Sequence, residues 1–319
     1  MKEITFIRQN KKKWLSQEKQ TNNLDELTTD KLSDLYVNLS ADYAYSQSQY
    51  DNARITKFLS NLVTKTHTYI YRKKKFDFSA ILKTFTKDIP ETVANAKFEM
   101  LVALSIFLVA CLIGVILAFQ SEENIVNFLG KGYVDMTLEN IKNGRPTDVY
   151  NQEACNPMFW QIVYNNIKVT FITYAYGIIP FLGSGYILAN NGVMLGEFQS
   201  LFFLHGVGLE SMLSIWMHGA FEIPAIIIAG AAGITLGKGW VLPGTYSRIE
   251  ALKKSGLQSI KILLSTTPIL TIAAFFESYI TRHTEWNDLL RLTIILLLFG
   301  FIIFYYVYIP FFMKKKQDK

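Results

Sequence analysis

The stretch Trp216-Met-His-Gly-Ala-Phe-Glu-Ile-Pro-Ala-Ile-Ile-Ile-Ala-Gly-Ala-Ala-Gly-Ile-Thr-Leu-Gly237 constrains the fold more than any other. It exceeds the roughly 20 residues that a helix needs to cross a bilayer core. Yet it holds His218 and Glu222, which a helix places one turn apart on a single face. The same face continues through Ala225, Ala229, Gly233 and Gly237, all small. In lipid, helices associate by close packing and interhelical hydrogen bonds, so a small-residue stripe is the face that meets other protein. The polar pair is therefore turned away from lipid. Pro224 cannot donate to the Ala220 carbonyl and is expected to kink the helix there. Ionisable groups at membrane depth are costly to keep, which makes this a site candidate by default.

The rest of the chain agrees with a membrane protein that carries a soluble head. Of 319 residues, 50% are apolar and 18% charged, and the charge is densest in the first hundred. After them come apolar runs broken by short polar patches. No apolar core follows Met1-Lys-Glu-Ile-Thr5 closely, so a cleaved signal peptide is not expected. The net charge of +6 comes with no basic stripe of interleaved aromatics, so membrane surface and topology explain it and nucleic acid does not. Cys111 falls in an apolar span and Cys155 in a polar loop; they fit no metal spacing and no disulfide is expected.

The fold expected is all-α, a polytopic membrane bundle of about six spans with a cytoplasmic helical domain over residues 1–95. In that head, Phe6, Ile7, Trp14 and Leu15 mark one amphipathic helix, and Leu32, Leu35, Tyr36, Leu39 and Tyr43 a second. A third runs from Ala53 through Phe58, Leu59 and Leu62 to Tyr71. The basic block Arg72–Lys75 precedes Phe76, Phe78, Ile81, Leu82, Phe85 and Ile89, read as an interfacial helix closed by Pro90, with an ordinary core-facing helix that has a solvated basic end as its alternative. Residues 96–313 hold the spans: roughly Phe98–Phe119, Ile162–Leu188, Val193–Leu209, Met212–Leu236, Leu257–Ile280 and Leu289–Phe312. The third, with Glu197, Gln199 and His205, is the least apolar, and a re-entrant segment is its alternative.

Basic residues orient the bundle. Lys73–Lys75, Lys83, Lys87 and Lys97 precede the first span, Lys238, Arg248, Lys253 and Lys254 join the fourth to the fifth, and Lys314–Lys316 begin a basic tail over 314–319. Placing all three groups in the cytoplasm requires an even number of spans, with both termini inside the cell. The acidic stretch 120–160 then forms an extracytoplasmic loop, and Asn190-Asn191-Gly192 reads as a cytoplasmic turn. No internal repeat supports an inverted-repeat transporter.

This orientation gives the polar residues a common depth. His218 lies about six residues inside the outer boundary, ~9 Å along a helix, and Glu222 lies deeper. Glu277 in the fifth span approaches the same boundary, with Arg282 just beyond it and His205 at the end of the third span. These five form the candidate polar cluster. A neutral, hydrogen-bonded set that locks helices is preferred over a transport or catalytic role. No metal is assigned. His218, Glu222 and Glu277 would be its ligands, but the His-Glu-x-x-His signature is absent. Gly177, Pro180, Gly183 and Gly185 break the second span, where irregular backbone must be buried in protein or line a cavity; packing of Gly177 and Pro180 against the fourth span is preferred.

Several of these segments resemble the stage II sporulation protein M family. They are Asn165-Asn-Ile-Lys-Val169, Asn191-Gly-Val-Met-Leu-Gly196, His218 through Gly237, and Ile272-Ala-Ala-Phe-Phe-Glu-Ser-Tyr-Ile-Thr281. The head looks similar too, at Trp14 and from Leu35-Tyr36 to Tyr71-Arg72, and Ser278 stands where a glycine is expected. The resemblance implies a multi-pass protein of the bacterial inner membrane. In endospore formers the family's namesake works with a peptidoglycan hydrolase during engulfment. Membrane lipids and envelope proteins are then the expected partners, with a second copy of the chain as a further one, and no cofactor is implied. A scaffold that positions envelope-remodelling partners, without an enzymatic step of its own, is the first reading. A transporter or flippase with a path past His218, Glu222 and Glu277 is the alternative, and an intramembrane metal-dependent hydrolase ranks third.

Overall fold

The structure, a computed structural model, describes residues 3–50, 53–71, 78–146, 155–179, 182–283 and 286–317. Every regular element among them is helical. The chain divides into two compact units, Met1–Phe78 and Ser79–Lys319.

The first unit is built from α1 (Glu3–Asn22), α2 (Thr29–Gln49) and α3 (Arg54–Ile70). Thr28 caps α2 by accepting a hydrogen bond from the Lys31 amide. The three- and four-residue spacing of apolar side chains brings Phe6, Trp14, Leu35, Leu39, Leu59 and Leu62 into one core. Polar ties fix the helix register. The Trp14 indole N–H and the Lys13 ammonium both donate to Asp42 Oδ2, at 2.8 and 2.7 Å. The Ser46 and Thr56 hydroxyls meet at 2.6 Å. The basic block Arg72–Lys75 and Phe76 lie outside the described residues.

The second unit begins near α4 (Phe78–Lys83), where Phe78, Ile81 and Leu82 are exposed. A π-turn, Thr84–Asp88, leads into α5 (Ile89–Asn95). Pro90 does not close this helical run; it occupies the first turn of α5, directly after the π-turn. The wider turn before it relieves the clash a proline ring makes with the carbonyl four residues back. Ile89, Val93 and Ala96 are buried in the same core as Ile228, Ala229 and Ile262, so α5 packs within the second compact unit. The same device recurs near the end of the chain, where the π-turn Phe304–Tyr308 precedes Pro310. The Phe85 carbonyl, in the first of these turns, accepts a 2.6 Å hydrogen bond from Tyr305 in the second.

Six long helical segments follow: α6 (Lys97–Gln120), α9 (Cys155–Ala175), α10 (Gly183–Leu204), α11 (Gly208–Val241), α12 (Arg248–Phe275) and α13 (Asp288–Ile303), the last continuing into α14 (Ile309–Gln317). Two shorter helices, α7 (Glu122–Leu129) and α8 (Lys131–Lys142), occupy the stretch read as an outer loop. Among the described residues, four segments are long and apolar enough to cross a membrane: α6, α11, α12 with its terminal π-turn, and α13–α14 to Met313. Cys111 and Cys155 are both free thiols.

The second and third expected spans are divided differently from the sequence reading. α9 ends at Ala175, a 3₁₀ turn covers Tyr176–Ile178, and α10 starts at Gly183. The expected turn at Asn190-Asn191-Gly192 lies inside α10. Two contacts explain this. Asn191 Nδ2 donates back to the Ile187 carbonyl at 2.8 Å, a bond along the helix. Gly192 serves packing, because a Cβ there would stand 2.6 Å from the Phe107 carbonyl oxygen of α6. α11 is the hub, packing against α6, α9, α10, α12 and α13.

Candidate functional site

The site begins with the spacing of α11. Four residues apart, His218 and Glu222 point to one side of that helix, and His218 is 4% exposed. Glu277 arrives from α12, in the π-turn Phe276–Ile280 that ends it. Such turns shift side chains off the α-helical register and are frequent at functional sites. One ligand atom from each of His218, Glu222 and Glu277 lies within 4.8 Å of the others.

Neighbouring side chains hold two of the three in place. His218 Nδ1 is 3.0 Å from Thr281 Oγ1, one turn beyond Glu277. Asn166 of α9 donates from Nδ2 to Glu222 Oε1. Three helices therefore contribute to one network of imidazole, carboxyl, amide and hydroxyl groups. At the same end of the bundle, the Tyr279 hydroxyl donates to Asn156 Oδ1 of α9. Burial, with the Glu277 carboxyl adding to it, pushes the Tyr133 phenol of α8 above its ordinary range.

The other two expected members also make contacts with neighbouring helices. Arg282 Nη2 is 3.6 Å from Met158 Sδ of α9. His205 sits past the end of α10, its Nδ1 2.9 Å from the Leu201 carbonyl and its Nε2 4.0 Å from Glu122 of α7. It belongs to the α7–α10 contact.

Below the polar groups, Ala225 and Ala229 are fully buried and Gly233 and Gly237 are buried with them. Gly233 meets the turn between α9 and α10. A Cβ on it would stand 2.0 Å from Ser184 Oγ, and one on Gly177 would stand 2.1 Å from the Gly233 carbonyl oxygen. Pro224 is half-buried inside an α11 that runs unbroken through it. Pro180 lies outside the described residues. Ser278, at the position where a glycine was expected, is completely buried, so a small side chain is required there.

Three participants were not singled out as site residues from the sequence. Asn166 and Thr281 fall in quoted segments, but nothing in their spacing names Glu222 and His218 as partners. The third is Glu99, the lone acid near the start of α6, which meets Lys238 of α11 at 2.5 Å. That pair lies about 30 Å from His218 along α11. It lines a cavity of about 490 Å³ together with Thr235, Tyr246, Lys254 and Ser255.

Comparison with known proteins separates the two units. A family described as a domain of unknown function (DUF8413) matches residues 4–72, inside the first unit. No curated protein and no solved structure matches the chain. A second family model does not reach the head, so the similarity read there from the sequence is not part of its match. It does span Asn166, His218, Glu222, Glu277 and Thr281, covering residues 103–282, more than half of the chain. This membrane protein belongs to the stage II sporulation protein M family.

Proposed function

We propose that the protein is a six-span scaffold of the bacterial inner membrane, with both termini in the cytoplasm, that positions partners of a peptidoglycan-remodelling complex. The observation that carries this reading is that several polar groups inside the bundle tie one helix to another. Asn166 meets Glu222 and His218 meets Thr281, as described above. Arg291 of α13 donates to Ser214 of α11 at 3.3 Å, and the Ser265 and Tyr306 hydroxyls of α12 and the α13–α14 segment meet at 2.7 Å. Such ties hold a bundle in one arrangement, which suits a platform. The cavity of about 490 Å³ is lined by residues around Glu99 and Lys238, and none of His218, Glu222 and Glu277 is among them.

Support for six spans comes from length. α9 has 21 residues and α10 has 22, each rising to about 32 Å, enough for a bilayer core although both are less apolar than the other four. In this reading the head and the α7–α8 pair are the docking surfaces for envelope proteins, with a second copy of the chain as a further partner. The test is affinity capture of the full chain from native membranes in mild detergent after cross-linking. Envelope proteins, a peptidoglycan hydrolase among them, are expected to co-purify, and Glu222→Gln is expected to retain them. If the purified chain moves a lipid-linked or ionic substrate across a reconstituted bilayer, and Glu222→Gln stops it, the scaffold reading fails.

A further inference from the structure

We propose that His218, Glu222 and Glu277 bind one divalent transition-metal ion of the zinc class. The donor set is the first argument. One imidazole nitrogen and two carboxylate oxygens are ligands that such ions take, and the imidazole disfavours magnesium and calcium, which prefer oxygen alone. The second argument is distance. Ligand atoms around a tetrahedral ion stand about 3.4 Å apart, given metal–ligand bonds of ~2.0–2.2 Å. The three atoms already lie within 4.8 Å of one another, so small side-chain rotations close the set.

Two further contacts match what metal ligands require around them. His218 Nδ1 faces the Thr281 hydroxyl, which orients the ring; when Nδ1–H donates there, Nε2 is the nitrogen offered to the metal. Asn166 holds Glu222 through Oε1, which orients that carboxylate. Charge supplies the last argument. Two carboxyl groups brought together inside a bundle need a shared proton or a cation between them, and a helix lock alone would need only one acid and one amide. With three protein ligands a fourth position stays open to water or to a partner's donor atom. The inference does not depend on the scaffold reading: metal content is measured on the purified chain, partner capture is not involved, and either result can fail alone.

The experiment is metal analysis of the full chain purified in detergent through a tag that binds no metal. About one ion per chain is expected. After stripping with a chelator, added Zn²⁺ should raise the melting temperature in a concentration-dependent way, and Co²⁺ should produce the visible absorption of a four-coordinate site. Affinity should fall as the pH is lowered, because protons compete for all three ligands. His218→Gln and Glu277→Gln should abolish binding, and His205→Gln should leave it intact. Thr281→Val keeps every ligand and should weaken binding about 10–100-fold. It carries the test if the ligand variants fail to fold. Substoichiometric metal in the wild-type chain, with neither thermal shift nor cobalt absorption, would overturn the site and leave a proton-sharing carboxyl pair. Unchanged binding in both His218→Gln and Glu277→Gln would do the same.

Discussion

α11 and the α13–α14 segment both have the length and apolarity of membrane spans, and they occupy opposite places in the bundle. The span in α11 is 61% buried, whereas that in α13–α14 is 17% buried although it is the more apolar of the two. Around α11 stand five other helices, which meet its glycines, alanines, histidine and glutamate. The last segment instead turns Leu296, Leu297, Phe301, Phe304 and Phe311 outward. In water the greasier helix would be the buried one. In lipid, apolar side chains gain nothing by leaving the acyl phase, so close packing and hydrogen bonds decide which helix is central.

Substitutions can break or sharpen this contrast. The largest effect is expected for Gly233→Leu, since even a Cβ would stand 2.0 Å from Ser184 Oγ and 3.0 Å from the Tyr174 carbonyl oxygen. A loss of about 3 kcal/mol, seen as aggregation or a collapsed yield of monodisperse protein, is expected. A well-assembled Gly233→Leu chain would remove α11 from the centre. Next comes Lys238→Met, which takes the cation from Glu99, a side chain only 3% exposed. The expected loss is about 1–3 kcal/mol, read from the melting midpoint in detergent, and Glu99→Gln in the same chain should recover part of it.

A smaller effect is expected at the edge of the bundle. Tyr306→Phe removes the 2.7 Å tie to Ser265, and about 0.6 kcal/mol is expected from one interhelical hydrogen bond in lipid. Leu297→Ala, at a side chain 69% exposed, should change stability by no more than about 0.5 kcal/mol. If it proved as damaging as Gly233→Leu, then α13 would have a packing partner beyond this chain.

Much of the architecture was legible because periodicity and length are local properties. Leu35 with Leu39 and Leu59 with Leu62 announce the head helices. His218, Glu222, Ala225, Ala229 and Gly233 announce a protein-facing stripe whatever lies opposite. The break between α9 and α10 was misplaced for an equally local reason. Asn190-Asn191-Gly192 carries the chemistry of a turn, and only the α6 backbone beside Gly192 shows that the glycine is there to be packed against. Pro90 misled in the same way, since a proline ends one helix and opens another with the same ring.

The sequence by itself determined that this is an all-helical membrane chain with a charged head, and which residues on its fourth apolar run share a face. Hydropathy and the 3.6-residue period act within one segment, so they need no knowledge of neighbours. Only the tertiary structure decided that Glu277 meets His218 and Glu222, that Asn166 and Thr281 hold them, and that Glu99 finds Lys238 139 positions away. Those pairings depend on which helices lie side by side and at what register. That choice belongs to the shapes of whole packed faces, chiefly the glycines and alanines of α11, and not to any residue's own preference.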